Sequence, residues 1–426
     1  MLNGVGVIFL ILLIVNITLH ITLNLLNQTH MKKGETNLPE IFNKWVDKEA
    51  YQKSIAYNAD KARFGFLESG TFIGLLIYCI YFGGFELIDQ IGRSIGDGRY
   101  YTTALSFGAI LFIISVVMGI PFSLYRTFVI EERYGFNKST PTLFFKDLFK
   151  SLILEVIFAV PLFLGILWFM AKASNYWWIW AWILFLALQI IILILYPVWI
   201  APLFNKFTAL EEGDLKDEIT KLSNTANFPL TGIYMMDGSK RSTHSNAYFT
   251  GIGKKKRIVL FDTLMNHMTT PQILAVLAHE ISHYKLHHIR KNLILFSILS
   301  LIIFYTLNLM IQNDAFYNGI GFTQPSNYAA LIIIGLWIYV LSFIFTPLFS
   351  ALSRKFEYDA DQYAVHNSEI PHSMAEVVAI LSKENLSNLN PHPWYSFFYY
   401  SHPAPVERVK KLLNICENLK TKQEKS

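Results

Sequence analysis

The stretch LAHEISHYKLHH (277–288) gathers His279, Glu280, His283, His287 and His288 into twelve residues. Its centre, His279-Glu280-Ile281-Ser282-His283, sets two imidazoles four residues apart. On a helix those positions share one face, one turn apart, so both rings can reach a single divalent ion. Zn²⁺ takes imidazole nitrogen at about 2.0–2.1 Å. Glu280 projects about 100° around the helix, beside the ion but not bound to it. From there its carboxylate can take a proton from an attacking water and deliver it to a leaving amine. A chain with 12 His produces this motif by chance about 0.015 times, so the motif is good but not sufficient evidence. The bland alternative is a polar helix end with surface histidines. Against it stand a helix start, with Thr269 or Thr270 as cap and Pro271 in the first turn, and the apolar Ile273, Leu274, Val276 and Leu277. His287 and His288 are read as interfacial residues.

A hydrolytic zinc needs a third protein ligand and one open position. SRKFEYDADQYAV (353–365) offers Glu357 and Asp361, again four apart on a predicted helix. Glu357 is the candidate ligand. Asp361 is the candidate acceptor for a ligand imidazole, fixing its tautomer. Taken alone, these residues read better as a solvated helix carrying Arg354, Glu357, Asp359 and Asp361. The intervening chain changes that, because it folds as a membrane hairpin returning residue 357 to the side of His279. SHPAPVERVKKL (401–412) adds His402 before a Pro-bounded turn and Arg408 on the helix that follows. A histidine beside the ion can donate to a developing oxyanion. A turn histidine with a surface arginine is the alternative.

The elements that must hold these groups are mostly greasy. The chain is 53% hydrophobic and 16% charged, against about 25% charged for a soluble domain. Seven apolar runs reach the roughly 18 residues needed to span a bilayer: 4–27, 66–88, 103–125, 151–171, 176–200, 292–312 and 329–351. So many near-charge-free runs exclude a soluble helical core. The first is read as a retained span, because no Lys or Arg precedes it and no small-residue cleavage site follows.

Lys and Arg alternate between the loops. Residues 28–65 hold Lys32, Lys33, Lys44, Lys48, Lys53, Lys61 and Arg63, whereas 313–328 hold none. The positive-inside rule then gives an external N terminus, seven crossings and a cytoplasmic C terminus. Segments 201–291 and 352–426 fall on the same cytoplasmic face. The net charge of +5 sits in these loops. The run KKKR (254–257) is read as a solvated turn facing anionic lipid, not as a nucleic-acid site. Cys79 lies within a span and Cys416 in the cytoplasmic tail, so they cannot pair.

Four regions follow: spans one to five with their loops (1–200), a hydrophilic insert (201–290), spans six and seven (291–352), and a C-terminal part (353–426). In the insert, EEGDLKDEITKLSNTAN reads as an amphipathic helix and TGIYMMDGS as a strand. SNAYFTGI and RIVLFDTL, joined by a GKKK turn, read as a hairpin.

The ordered pieces EERYGFNKST (131–140), YPVWIAPLFNKFTAL (196–210), SNAYFTGIGKKKRIVLFDTL (245–264), LAHEISHYKLHH, SRKFEYDADQYA (353–364) and SHPAPVERV (401–409) resemble the integral-membrane zinc CaaX prenyl endopeptidases of type I. The resemblance spans most of the chain. It implies seven membrane helices in a ring around a chamber, with a cytoplasmic gluzincin-like α+β protease domain. It implies one Zn²⁺ per chain held by His279, His283 and Glu357, with Glu280 as general base. It puts Asp361 behind a ligand, His402 at the transition state, and Arg408 less firmly in a structural or substrate-contacting place. It makes Asn246, Ala247 and Tyr248 an edge to which a substrate adds as a further strand. The expected partners are a prenylated or membrane-associated protein or peptide substrate and the bilayer, without nucleic acid. The expected reaction removes the C-terminal tripeptide of a prenylated substrate, with a second upstream cut possible. The expected membrane is the endoplasmic reticulum in a eukaryote and the plasma membrane in a bacterium. Two other readings stay open: a membrane quality-control protease without a prenyl requirement, and a seven-span transporter or receptor using Glu68 and Glu155.

Overall fold

In the computed structural model, which describes residues 3–251, 256–367 and 373–423, apolar composition and helix length coincide. The first helices are α1 (Gly4–Lys33), α2 (Lys48–Tyr81), a short α3 (Gly84–Gly96), α4 (Tyr100–Tyr125), α5 (Pro141–Lys172) and α6 (Trp177–Leu195). The insert supplies β1 (Phe207–Ala209), α7 (Asp214–Thr225), β2 (Leu230–Met236), β3 (Ala247–Thr250), β4 (Lys256–Phe261) and α8 (Thr270–Lys285). Then come α9 (His288–Met310), α10 (Asn327–Asn367), α11 (Ser373–Glu384), α12 (Pro393–Tyr399) and α13 (Pro405–Gln423). Seven helices among the described residues are long and apolar enough to cross a bilayer: α1, α2, α4, α5, α6, α9 and α10. The protein is therefore a mostly helical multi-pass membrane protein with one small sheet.

The second span differs from expectation. The run 66–88 does not continue through Phe82, because Gly83 adopts φ +81, a left-handed conformation that costs glycine little. The chain turns there and starts α3, whose Gly96 lies so close to α4 that a Cβ would fall 2.5 Å from the Thr103 Cα. The helix α2 instead extends backwards to Lys48, beyond its apolar half.

The two largest buried clusters lie at opposite ends of α1 and α2, and a small third one joins Tyr57, Ile130, Phe136 and Leu386. One cluster joins Phe9 and Leu13 of α1, Ile80 of α2, Phe107 of α4, Leu167 of α5 and Val340 of α10. The other joins the far ends of α1 and α2 (Met31, Tyr51, Ile55) to the sheet and to α8, α11 and α13. Between the clusters the spans bury little: no more than 22% of any span's most apolar window is buried.

The sheet runs β1-β2-β4-β3. β3 pairs antiparallel with β4, as the expected hairpin requires, and β4 pairs parallel with β2. β1 was not expected from the sequence; its three residues pair antiparallel with β2. The GKKK turn between β3 and β4 lies outside the described residues except for Lys256. Among the described residues β3 has a neighbouring strand on one side only, so it is an edge strand.

Candidate active site

The helix α8 begins where the cap signals placed it: the Thr269 amide donates to Gln272 Oε1 at 2.9 Å, and Pro271 occupies the first turn. Ile273, Leu277 and Ile281, four apart, are buried in the core beneath the sheet. That stripe fixes the rotation of α8 and turns the opposite face, with His279 and His283, toward α10. The helix α10 is continuous for 41 residues, so the membrane span itself carries Glu357 and, one turn on, Asp361.

The three expected ligands meet. His279 Nε2 lies 3.1 Å from His283 Nε2 and 3.3 Å from Glu357 Oε2, and His283 Nε2 lies 3.3 Å from Glu357 Oε1. One donor atom from each falls within 4.8 Å of the others. Three electron-rich atoms face one another, and Glu357 Oε2 is buried without a hydrogen-bond donor. Ligands at about 2.0–2.1 Å from a tetrahedral ion lie about 3.3 Å apart, the spacing seen here. The residues present therefore fit a divalent cation.

Each ring is oriented from behind. His279 Nδ1 is 2.8 Å from Asp361 Oδ1, and Arg408 donates to both Asp361 oxygens while its Nη2 also lies 3.3 Å from each His279 ring nitrogen and 3.5 Å from Glu357 Oε2. A hydrogen on His279 Nδ1 leaves the Nε2 lone pair facing the ion site. Burial and the Arg408 charge push the His279 pKa down, but Asp361 and Glu357 outweigh them and raise it to about 9 in the ion-free protein. Burial likewise opposes the Arg408 charge, yet Asp361 and Glu357 hold it firmly protonated. Arg408 thus sits in the hydrogen-bonded network behind the site, where sequence gave only a weak signal.

His283 has a different partner. Its Nδ1 lies 2.9 Å from Nδ1 of His288. His288 is 3% exposed, so the interfacial reading of this residue is corrected: the chain turns at His287 (φ +58) and sends His288 inward.

Glu280 lines a cleft of about 610 Å³ together with His279, Glu357, His402, Asn246 and Ala247. Burial pushes its pKa up, against the pull of His279 and His283. His402 Nε2 lies 3.5 Å from Glu357 Oε1, with 65% of its side chain accessible in the cleft. The Ser401 hydroxyl lies 3.1 Å from His402 Nδ1. Donation by that hydroxyl leaves the ring proton on Nε2, pointing at the site.

The loop bearing His402 is anchored by Arg354, whose Nη1 donates to the carbonyls of Ser396 (3.2 Å), Phe397 (3.1 Å) and Tyr400 (2.7 Å). These carbonyls lie at the end of α12, where Ser396 O also accepts the Tyr400 amide at 3.0 Å. The solvated role considered for Arg354 is thereby replaced by a structural one.

The segment leading into β3 is anchored too. Glu131 sits in a wide π turn (Arg126–Glu131) continuing α4. It accepts from the Tyr57 hydroxyl at 2.7 Å, and its other oxygen is 3.4 Å from His244 Nε2. His244 stacks on Phe136 at 3.9 Å and reaches Asn385 Oδ1 at 3.0 Å. Neither Glu131 nor His244 could be paired from sequence, being more than a hundred positions apart. EERYGFNKST (131–140) marks the neighbourhood of Glu131 in sequence, but the π turn that aims it, a form frequent at functional sites, is visible only in three dimensions.

Residues 27–206 match the family described as CAAX prenyl protease N-terminal, five membrane helices, and residues 209–416 match peptidase family M48. The chain is 36% identical over 420 residues to CAAX prenyl protease 1 of Saccharomyces cerevisiae, covering 92% of each chain. It is 33% identical over 440 residues to the CAAX prenyl protease 1 homolog of Homo sapiens, covering 90% of each. The crystal structure of S. mikatae Ste24p superposes with a TM-score of 0.88 at 32% identity, covering 96% of this chain and 99% of that one.

Proposed function

The chain belongs to the CAAX prenyl proteases of peptidase family M48, and from that membership we propose that it hydrolyses the peptide bond after the prenylated cysteine of CaaX proteins, releasing the C-terminal tripeptide. The carrying observation is the convergence of His279, His283 and Glu357 on one point, with Glu280 free beside it. Zinc is the ion these donors suit, one per chain. When bound, it supplies Lewis acidity, activating water and polarising the scissile carbonyl.

The side chains do the rest. Glu280, which among the described residues makes no side-chain hydrogen bond, takes the proton of the attacking water. As the C–N bond breaks, it returns that proton to the leaving nitrogen, so one water is consumed and an acid and an amine are formed. His402 offers Nε2–H to the oxygen on which negative charge develops. Asp361 and Arg408 keep His279 in its ligand tautomer.

The substrate lies along β3. Asn246 O accepts from the Phe261 amide. By antiparallel alternation, the backbone groups of Ala247 and Phe249 face the free edge, and those of Asn246 and Tyr248 face β4. An extended substrate therefore pairs with the 246–249 segment by strand addition. We assign the insert (201–290) and the C-terminal part (353–426) together to the cytoplasmic face, the Lys/Arg-rich side of the loops, so that a prenyl chain stays in apolar surroundings while its peptide reaches the site. In a eukaryote the proposed location is the endoplasmic reticulum membrane.

The reading is tested with peptides of equal sequence, farnesylated or unmodified, with and without a chelator. Preferential, chelator-sensitive cleavage of the farnesylated peptide next to its modified cysteine is expected. Equal cleavage of both would favour a general membrane protease.

A further inference from the structure

The two ligand rings are supported by unlike groups: a carboxylate behind His279 and a second imidazole behind His283. We infer that His288, the first residue of the sixth membrane helix, is a positioning residue for the metal centre, accepting the Nδ1 proton of His283. The inference rests on the metal site proposed above.

Two neutral imidazoles whose Nδ1 atoms are 2.9 Å apart must share one proton between them. If His288 donates, the His283 proton moves to Nε2, the atom turned toward His279 and Glu357, and the ligand lone pair is lost. If His283 donates, its Nε2 is free to bind. Only the second arrangement admits an ion, and it obliges His288 to be an acceptor at Nδ1 with its own proton on Nε2. That Nε2 is buried and meets no hydrogen-bond partner. Leaving one polar atom of a buried group unmatched is costly, so packing alone does not account for a histidine at this position.

The surroundings fix the ring in the accepting pose. His288 stacks on Phe356 with centroids 4.2 Å apart and planes 11° from parallel. Lys291 Nζ lies 5.6 Å from the Phe356 ring. Phe356 directly precedes Glu357, so the residue that holds His288 adjoins the third ligand. The left-handed His287 makes the turn possible by sending α9 away from α8 immediately after the motif helix. His288 thus ties the start of a membrane span, the second histidine ligand and the neighbour of the carboxylate ligand into one unit.

The test is Zn²⁺ affinity of the full-length protein in lipid nanodiscs, by chelator competition, alongside the melting temperature of the metal-free protein. His288→Phe keeps the stack on Phe356 and removes the acceptor; a 10–100-fold loss of affinity is expected, as for other groups that orient a ligand. His288→Asn puts an amide oxygen where Nδ1 was and is expected to restore binding close to the parent value. His288→Gln carries its oxygen one atom further and is expected to remain weak. Parent-like affinity of His288→Phe, or equal weakness of the Asn and Gln variants, overturns the inference. Should His288→Phe not fold, the Asn and Gln pair decides. Failure of the unmutated protein to take up zinc would instead overturn the metal site.

Discussion

Arg408 grips Asp361 through two parallel hydrogen bonds, Nε to Oδ2 at 2.8 Å and Nη2 to Oδ1 at 2.7 Å. The pair is buried, and Asp361 in turn holds His279. A planar guanidinium can engage both oxygens; an ammonium cannot. Arg408→Lys is therefore expected to lower zinc affinity about 10–100-fold while keeping the charge. Chelator competition measures this, and unchanged affinity would show that the bidentate grip is dispensable.

Glu280→Gln is expected to retain a full complement of zinc and lose nearly all turnover. The amide is nearly isosteric but cannot accept the water proton. General-base catalysis contributes about 10²–10⁴-fold, which sets the minimum loss. Elemental analysis and cleavage of a farnesylated peptide would be run on the same preparation; turnover near the parent rate would remove Glu280 from the mechanism.

Glu131→Gln separates substrate positioning from metal binding. The carboxylate joins Tyr57 and His244, and His244 leads directly into the edge strand. Weakening a charge-assisted contact of this kind costs about 1–3 kcal/mol. Zinc content should stay full while KM rises, with kcat less affected. Loss of zinc at unchanged KM would contradict this division.

Zinc binding should weaken as pH falls. In the ion-free protein His279 is held up at about 9, with burial and Arg408 lowering its pKa and Asp361 and Glu357 raising it further. Below that value the ring carries two protons, and one must leave for Nε2 to bind. Each unit of decreasing pH then costs about tenfold in apparent affinity. Chelator competition at three pH values between 6.5 and 8.5 tests it, and a flat dependence would show that His279 is already neutral.

What could be read in advance divides along physical lines. Hydropathy located all seven spans, because apolar length is a local property. It misjudged the end of the second, because FGGFELI remains apolar on average while Gly83 turns the backbone. The motif His279-Glu280-x-x-His283 and the pair Glu357/Asp361 were legible through helical spacing, and the returning hairpin explained how they meet. Ala247 and its neighbours were legible as a strand, whereas β1 is too short to announce itself. Arg354, Glu131 and His244 escaped, since their partners are distant in sequence. His288 was visible but misjudged: a histidine five places after a ligand looks like any polar residue at a membrane surface until the left-handed turn at His287 is seen.

The ligands come from two helices, and Glu357 rides on the extension of the last membrane span beyond its apolar part. A nascent polypeptide that has emerged as far as His283 owns the histidines but lacks the carboxylate. The ligand set is complete only once the last span has been made, and the residues around it only once His402 and Arg408 have followed.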